Sequence, residues 1–511
     1  MDRYASDLSS HAHRCRYTST ASDITGSVSG SGYRFPSNVS RPLQEDSTMK
    51  IWFAGIVLAF CLLPTDVWAC STFIATGSNA VLVANNKDLR PSDQNAMLFI
   101  SPAASGRYGK MFWGRRHTLT QCGVNEAGLF VDVSPVPSVA SSLPKGTELN
   151  APLASLLLDR CATVEEALDF IRQHHVRDLL KMHMMLSDKS GASAIVEWDG
   201  SELHVLPKSG AYQIMTNFRL SDPAMGGHPC YRYNSLLRML RSETHSPQLL
   251  RKALDFTHQE DLTYYSNLID LSEGSITVFG NHNFGQSRTF VLADMLQQGA
   301  QQFTLDELFP QRRVDKSALE LRNGLVYEIG SDTPFSGICV QKHENGTLLK
   351  EGLVKNGRCA GCWKYFDEDG VCIDEENYRR VLLFFDSGHL RAEGMLKNNM
   401  MVGEWQWMNE DGTPALKGKA IDGMFYRDGE NLPYSGKLTV TYRNGKTCSE
   451  RSFVRGLLDG EALDWYDNGH VRVEGYFEDG RHAKRWRFYR RDGGLERTMN
   501  YEDYVAPVHQ K

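Results

Sequence analysis

Cys70 stands directly behind a greasy stretch that ends Val67-Trp68-Ala69, where a secretion signal would be cut. A thiol exposed by such a cut can attack an acyl group while its own new α-amine, with an unperturbed pKa of about 8, serves as the base. The preceding segment Met49 to Ala69, MKIWFAGIVLAFCLLPTDVWA, has the layout of a secretory leader. It carries one lysine, an apolar run from Ile51 to Leu63, the helix breaker Pro64, and small residues Val67 and Ala69 at the cleavage positions. That run is too short to span a bilayer core of about 30 Å. The mature chain is therefore expected to begin at Cys70 and to be exported. Two other readings stay open: a lipidated lipobox cysteine anchored in a membrane, which Trp68 fits poorly, and a buried or disulfide-bonded cysteine. Residues 1–48, rich in Ser, Thr, Gly and Arg without an apolar period, are expected to be disordered or to stem from an upstream start codon.

The elements that would position this thiol follow from alternation. STFIATGSNAVLVANNKD reads as a hairpin turning at Gly77-Ser78-Asn79, with the cysteine at the start of its first strand and Asp88 at the end of its second. The 511 residues, 41% hydrophobic and 23% charged, suffice for two or three domains. A net charge of -6 gives no general attraction to nucleic acid.

Further motifs extend this start. Cys70-Ser71-Thr72-Phe73 and Asn86-Lys87-Asp88 are followed by CGVNEAGLFVD (122–132), MMLSDKSGASAIVEWDG (184–200), the Thr-Asn pair of IMTNFRLSDP (214–223), the Arg-aromatic pair of CYRYNSLLRML (230–240) and TYYSNLIDLSEGSITVFGNHNF (263–284). In this order, over residues 70 to about 310, the series resembles the N-terminal nucleophile hydrolases of the choloylglycine hydrolase, penicillin V acylase and linear amide C-N hydrolase group. The resemblance implies Cys70 as nucleophile with its α-amine as proton acceptor and donor. It also implies Asp88 as the carboxylate touching that amine, Asn217 as a donor to the tetrahedral oxyanion, and Arg232 as the charge orienting the nucleophile. Two departures matter. Bile-salt and penicillin V hydrolases usually have an arginine where Asn85 stands, and the second oxyanion donor falls near Ser134-Pro135, where proline has no amide hydrogen. Taken singly, an Asp in a turn, an Asn at a strand end and an Arg at a helix start are ordinary structural residues.

Apolar spacing of three and four predicts helices over Leu153 to Gln173 and Asn234 to Phe256. The expected fold class is α+β, and the resemblance implies a four-layer αββα sandwich for residues 70–312. His174-His175, read as neighbours on a helix, and His282 offer no third ligand at fixed spacing, so neither a metal nor a cofactor is expected.

From residue 321 to 500 the texture changes to short strands punctuated by Asn345-Gly346, Asp369-Gly370, Ser387-Gly388, Asp411-Gly412, Asn444-Gly445, Asn468-Gly469 and Asp492-Gly493, read as two-residue hairpin turns. Tryptophan-bearing pieces such as GCWKYFDEDG and GEWQWMNEDG recur, and Pro334 and Pro433, 99 residues apart, mark a longer duplication (325–346 echoed by 424–445). This all-β hairpin array resembles MORN-variant repeats, whose aromatics are expected to form a shared core. CAGC at 359–362 with Cys372 makes a weak zinc motif. RHAKRWRFYRR (481–491) reads as a solvated edge. The chain as a whole is expected to be an exported amidase acting on a small-molecule N-acyl substrate. The alternatives are an acyltransferase on the same thioester, or a lipidated, non-catalytic surface protein binding protein, glycan or membrane through its repeats.

Overall fold

The alternation after Cys70 closes as an antiparallel hairpin, β1 (Ser71–Thr76) and β2 (Val81–Asp88), with Ser71 opposite Asn86 and Thr76 opposite Val81. In this computed structural model the described residues are 70–501, apart from 78–79, 90–93, 116–118, 140–146, 150, 224–229, 243 and 261; the leader, the segment before it and the turn residues Ser78 and Asn79 lie outside them. All eight residues of β2 are buried, because both of its faces are covered. Val83 points into the cluster that also holds Met111, Trp113, Met185 and Ile195 of a second sheet, while Leu82 and Ala84 point at helix residues Leu236, Leu250 and Leu254. A fully buried Val, Leu or Met side chain among these contributes about 1.5–3 kcal/mol.

Two antiparallel sheets result. The six-stranded one runs in the order 212–215, β1, β2, 263–270, 275–280, 288–291; the eight-stranded one runs 203–207, 193–198, 182–187, 130–135, 119–125, 110–115, 97–101, 301–303. Their inner faces share one apolar cluster. Helices α1 (Leu153–Arg160) and α2 (Val164–Gln173) cover Leu129, Val131 and Val133 on the eight-stranded sheet; α3 (Tyr231–Ser242) and α4 (Pro247–Thr257) cover the six-stranded one. Where one long helix was expected from Leu153, the chain breaks after Cys161: the Thr163 side chain accepts from the Glu166 amide and starts α2 afresh. The second stretch divides the same way, with Ser246 capping α4 and Pro247 at its first position. His174 and His175 are not helical; they form a short strand parallel to Thr147–Glu148.

Beyond residue 312 every extended element is a strand. Arg313–Asp315 opens a nine-stranded sheet that continues from Gly337 to Arg427, and a seven-stranded sheet follows from Gly436 to Asn500. One aromatic core runs through both, with Phe453 of the second sheet 5.5 Å from Phe425 and 6.1 Å from Trp407 of the first. The duplication seen around Pro334 and Pro433 recurs in the backbone: Phe335 N–H to Val326 O, Val326 N–H to Gly357 O and Gly357 N–H to Phe335 O repeat at Tyr434, Phe425 and Gly456.

The turns differ from expectation. At Asn345-Gly346 only the glycine takes positive φ (87°), and Asn345 Oδ1 accepts from the Thr347 amide at 2.9 Å, so a three-residue loop with a bulge replaces a two-residue turn. Two-residue turns with both φ positive occur instead at Asn323-Gly324, Asn356-Gly357, Asp422-Gly423, Arg455-Gly456 and Asp479-Gly480. RHAKRWRFYRR is not an edge, because the strand Arg481–Tyr489 pairs on both sides.

Three units share one further device. Trp363, Trp405 and Trp486 each lie on the glycine eleven residues earlier, and each indole nitrogen donates to the carbonyl after that glycine, at 3.1, 3.2 and 3.3 Å. A Cβ on Gly394 would meet Trp405 at 2.0 Å. Gly394→Ala is expected to lower stability by about 1–3 kcal/mol through overpacking. Denaturant unfolding followed by tryptophan fluorescence checks this.

Candidate active site

Cys70 is 3% exposed and opens β1 from the layer between the two sheets. Burial pushes its thiol above the ordinary value. The Lys87 ammonium pulls it back down, the charges of Asp88 and Asp132 push it up, and the Asp88 amide donates to it. The carbonyl of Cys70 accepts from Arg232 Nη1. Arg232 sits in the first turn of α3, and its Nη2 donates to Asn217 Oδ1 at 3.0 Å. This fixes which way the Asn217 amide faces: Nδ2 donates one hydrogen to Pro135 O at 2.9 Å and has a second left over. Cys70, Arg232, Asn217 and the Ser134-Pro135 strand end, scattered over the sequence, are thus one cluster.

Asp88 ends β2 on the face turned to α4. Its carboxylate accepts from Thr263 Oγ1 at 2.5 Å and Gln259 Nε2 at 2.8 Å. Burial raises it to about 6, against the pull of the Arg232 guanidinium and these two donors.

Lys87, one residue earlier, points the other way and was not singled out in the sequence. It pairs with buried Asp132 and donates to Val133 O at 2.7 Å. Burial alone would lower the lysine's pKa, but the Asp132 charge overrides it and holds the ammonium protonated. Asp132 also accepts from Thr72 Oγ1 at 2.6 Å and Asn85 Nδ2 at 2.8 Å, while Asn85 Oδ1 accepts from Asn267 at 2.8 Å. Asn85, standing where an arginine was expected, is therefore a link in a polar layer whose cation is Lys87. The signal was the polar run Asn85 to Asp88 ending a strand that is otherwise apolar.

The loop carrying Asn217 is pinned from behind. His183 bridges the Thr216 carbonyl (2.6 Å) and Glu197 (2.9 Å), and Glu197 also accepts from the Leu220 and Ser221 amides, both at 2.9 Å. Burial would raise Glu197, but His183 and Ser221 outweigh it and hold the carboxylate down at about 2. Near this loop the hydroxyls of Ser134 and Thr216 are buried with no hydrogen-bond partner among the described residues.

Metal was not expected, yet His282 lies with His258 and Glu260, their ligand atoms within 4.8 Å of one another. Lys355 Nζ is 3.2 Å from His282 Nε2, and Arg380 is 3.6 Å from Glu260, so two cations already occupy the ground a metal's charge would need. The nine described cysteines are free thiols; Cys359, Cys362 and Cys372 join no three-ligand group among the described residues.

Residues 75–280 match the family model of acyl-coenzyme A:6-aminopenicillanic acid acyl-transferase, and residues 458–479 match the MORN repeat variant. A penicillin V acylase of Pectobacterium atrosepticum is 34% identical over 134 residues, 22% of this chain and 35% of that protein's length. The chain thus spans about a third of that curated relative. Solved structures that align include penicillin V acylase from Agrobacterium tumefaciens, 22% identical over 41% of this chain and 83% of that one at a TM-score of 0.35. Another is a variant of conjugated bile acid hydrolase from Clostridium perfringens, 14% identical over 48% and 99% at 0.35. Residues 75–280 are thus similar to the penicillin acyltransferase and acylase family, and residues 458–479 to the MORN repeat variant.

Breaking the buried pair by Lys87→Met leaves Asp132 without its cation and is expected to cost about 3–5 kcal/mol. The double variant Lys87→Met with Asp132→Asn is expected to recover most of that loss, as measured by urea unfolding.

Proposed function

We propose that this chain is an amidase that hydrolyses a linear, non-peptide C–N bond of a small N-acyl substrate, with Cys70 as nucleophile once the segment before it is removed on export. The observation that carries this reading is the Arg232 guanidinium, which joins the Cys70 carbonyl and the Asn217 side chain in one buried cluster. The two facing sheets with helices on their outer faces support a four-layer αββα sandwich for residues 70–312.

In this mechanism the thiol proton passes to the α-amine as Sγ attacks the acyl carbon. The developing oxyanion takes the second hydrogen of Asn217 Nδ2, and the Ser134 hydroxyl supplies the donor that Pro135 cannot. Ser134 lies between Val133, whose carbonyl Lys87 holds, and Pro135, whose carbonyl Asn217 holds, and its hydroxyl has no other partner among the described residues. Collapse expels the amine with the proton from the α-ammonium and leaves a thioester. Water then adds, gives its proton to the α-amine, and releases the acid and the thiol. Lys87 stabilises the thiolate while Asp88 holds the α-ammonium.

Acyl transfer is the second reading, favoured by the description of the matching family model. It differs only in that an amine replaces water in the last step. Penicillin V is the first substrate to try, with hydroxylamine as acceptor, because transfer to 6-aminopenicillanic acid would only regenerate penicillin V.

Cys70→Ala is expected to abolish turnover, and activity that survives it would overturn the mechanism. Ser134→Ala is expected to lower kcat about 10²–10³-fold with KM little changed, as loss of one oxyanion donor does. The carboxylate form of Asp88 is the working one, so kcat/KM is expected to fall as pH drops through about 6. Processing adds a neighbouring ammonium, which moves the Asp88 limb lower, while the α-amine, ordinarily at about 8 and needed as the free base, sets a separate limb at higher pH. Intact mass and N-terminal sequence of the exported protein test whether the chain starts at unmodified Cys70.

A further inference from the structure

Among the described residues, the repeat array meets the first half of the chain at two places that lie next to residues of the site. At the first, Phe384 lies flat on Tyr231, ring centroids 4.5 Å apart and planes 3° apart, with Phe256 edge-on at 5.4 Å. Tyr231 immediately precedes Arg232. The turn after Phe384 continues the contact: Asn234 Nδ2 donates to Asp386 O at 2.5 Å and Arg238 Nη2 to Gly388 O at 3.0 Å. Gly388 has φ +82°, and a Cβ there would lie 2.3 Å from Ser235 Oγ, so the turn is seated directly on α3. The repeat is thus fitted to the helix that aims the Arg232 guanidinium.

At the second place, Gln259, which donates to Asp88, is flanked by His258 and Glu260. The Glu260 carboxylate sits between His258 Nε2 (3.3 Å) and His282 Nε2 (3.1 Å), whose rings stack at 5.0 Å. Two cations of the repeat array close on this group: Arg380, which Glu393 holds in turn at 2.7 Å, and Lys355. Burial would raise the Glu260 carboxyl, but the two histidines hold it well below the usual range, so a charged acid is anchored there. The segment His258–Glu260, which presents Gln259 to Asp88 just ahead of the strand that Thr263 opens, is thus tied down from the repeat side.

We propose that the repeat array is a structural part of the catalytic centre, in which Phe384 and Arg380 act as positioning residues. Phe384 seats α3 and so Arg232; Arg380 seats the His258–Glu260 segment and so Gln259, a donor to Asp88. The groups that bear on Asp88 are Arg232 from α3, His258 with Gln259 from the segment after α4, Thr263 from the strand 263–270, and Cys70 beside it. Without the clamp Asp88 loses a hydrogen bond that favours its charged form, so its pKa rises and the acid limb of kcat/KM moves to higher pH. The proposal rests on the amidase reading of Cys70.

The test uses the full-length processed protein carrying Phe384→Ala or Arg380→Met, beside the conservative Phe384→Tyr and Arg380→Lys. Hydrogen exchange of segments 230–238 and 257–264 is read against α1 as internal control, and kcat, KM and their pH profiles are read with penicillin V. Expected are faster exchange in the segment each residue seats, a kcat reduced about tenfold as misplacement of reacting groups would give, and KM within about twofold. Arg380→Met is also expected to move the acid limb upward, and the conservative variants to restore each readout. Unchanged exchange overturns the proposal, and so does loosened exchange with wild-type kcat. Should one variant unfold, with α1 exchanging as fast, the other contact decides. A wild type indistinguishable from Cys70→Ala on penicillin V and other N-acyl amides sinks the amidase reading instead, while the exchange arm still reports whether the repeats hold these two segments.

Discussion

A lysine ammonium buried between two sheets is tolerable only with a partner, and Lys87 and Asp132 meet that constraint by facing each other across the inter-sheet layer. Much of the first half is arranged around this pair. It sets which residues of β2 point inward, because Asn85 and Lys87 must both reach Asp132, and that leaves Asn86 and Asp88 on the opposite face, toward α4. A slip of one residue in β2 would send Lys87 into the helix layer and Asp88 into the polar layer. The same pair fixes the strand that ends at Ser134 and Pro135 against the start of β1. The site is thus assembled at one end of an interface whose apolar remainder supplies the adhesion.

Arg232 is the second organising charge. One guanidinium contacts the residue that opens β1 and the loop after strand 212–215, and α3 delivers it. Because it is planar and cannot deprotonate, it holds two acceptors in fixed relation in a way a lysine would not. The polar groups around it follow a hierarchy: Asn217 is oriented by Arg232, its loop by His183 and Glu197, and the helix by contacts beyond residue 380.

The sequence was informative where chemistry is local. The hairpin that frames Cys70 and Asp88 follows from alternation, and Asn217 and Arg232 were reachable through motif order. The 99-residue duplication was legible because Pro334 and Pro433 mark the same bend, and the backbone hydrogen bonds confirm it. What escaped was non-local. The role of Lys87 depends on Asp132, 45 positions away, which no local pattern pairs with it. The glycine turns were read from dipeptides alone, but turn type also depends on the flanking register, and a side chain such as Asn345 can cap the next amide instead of adopting positive φ itself. The breaks between α1 and α2 and between α3 and α4 were written in Thr163 and in Ser246-Pro247, capping signals overridden by the apolar period.

The repeat array bears on why two such different folds share a chain. A hairpin cannot bury enough surface alone, and three units here lean a tryptophan on the glycine of the neighbouring strand within the aromatic cores of the array. The array presents Phe384, Lys355 and Arg380 to α3 and to the groups around His258–Glu260, the segments that deliver Arg232 and Gln259 without being part of either sheet. Strands in the two sheets are fixed by their ladders, whereas His258–Glu260 and the first turn of α3 lie outside those ladders. Those segments therefore gain most from an external brace, and the brace lies against them.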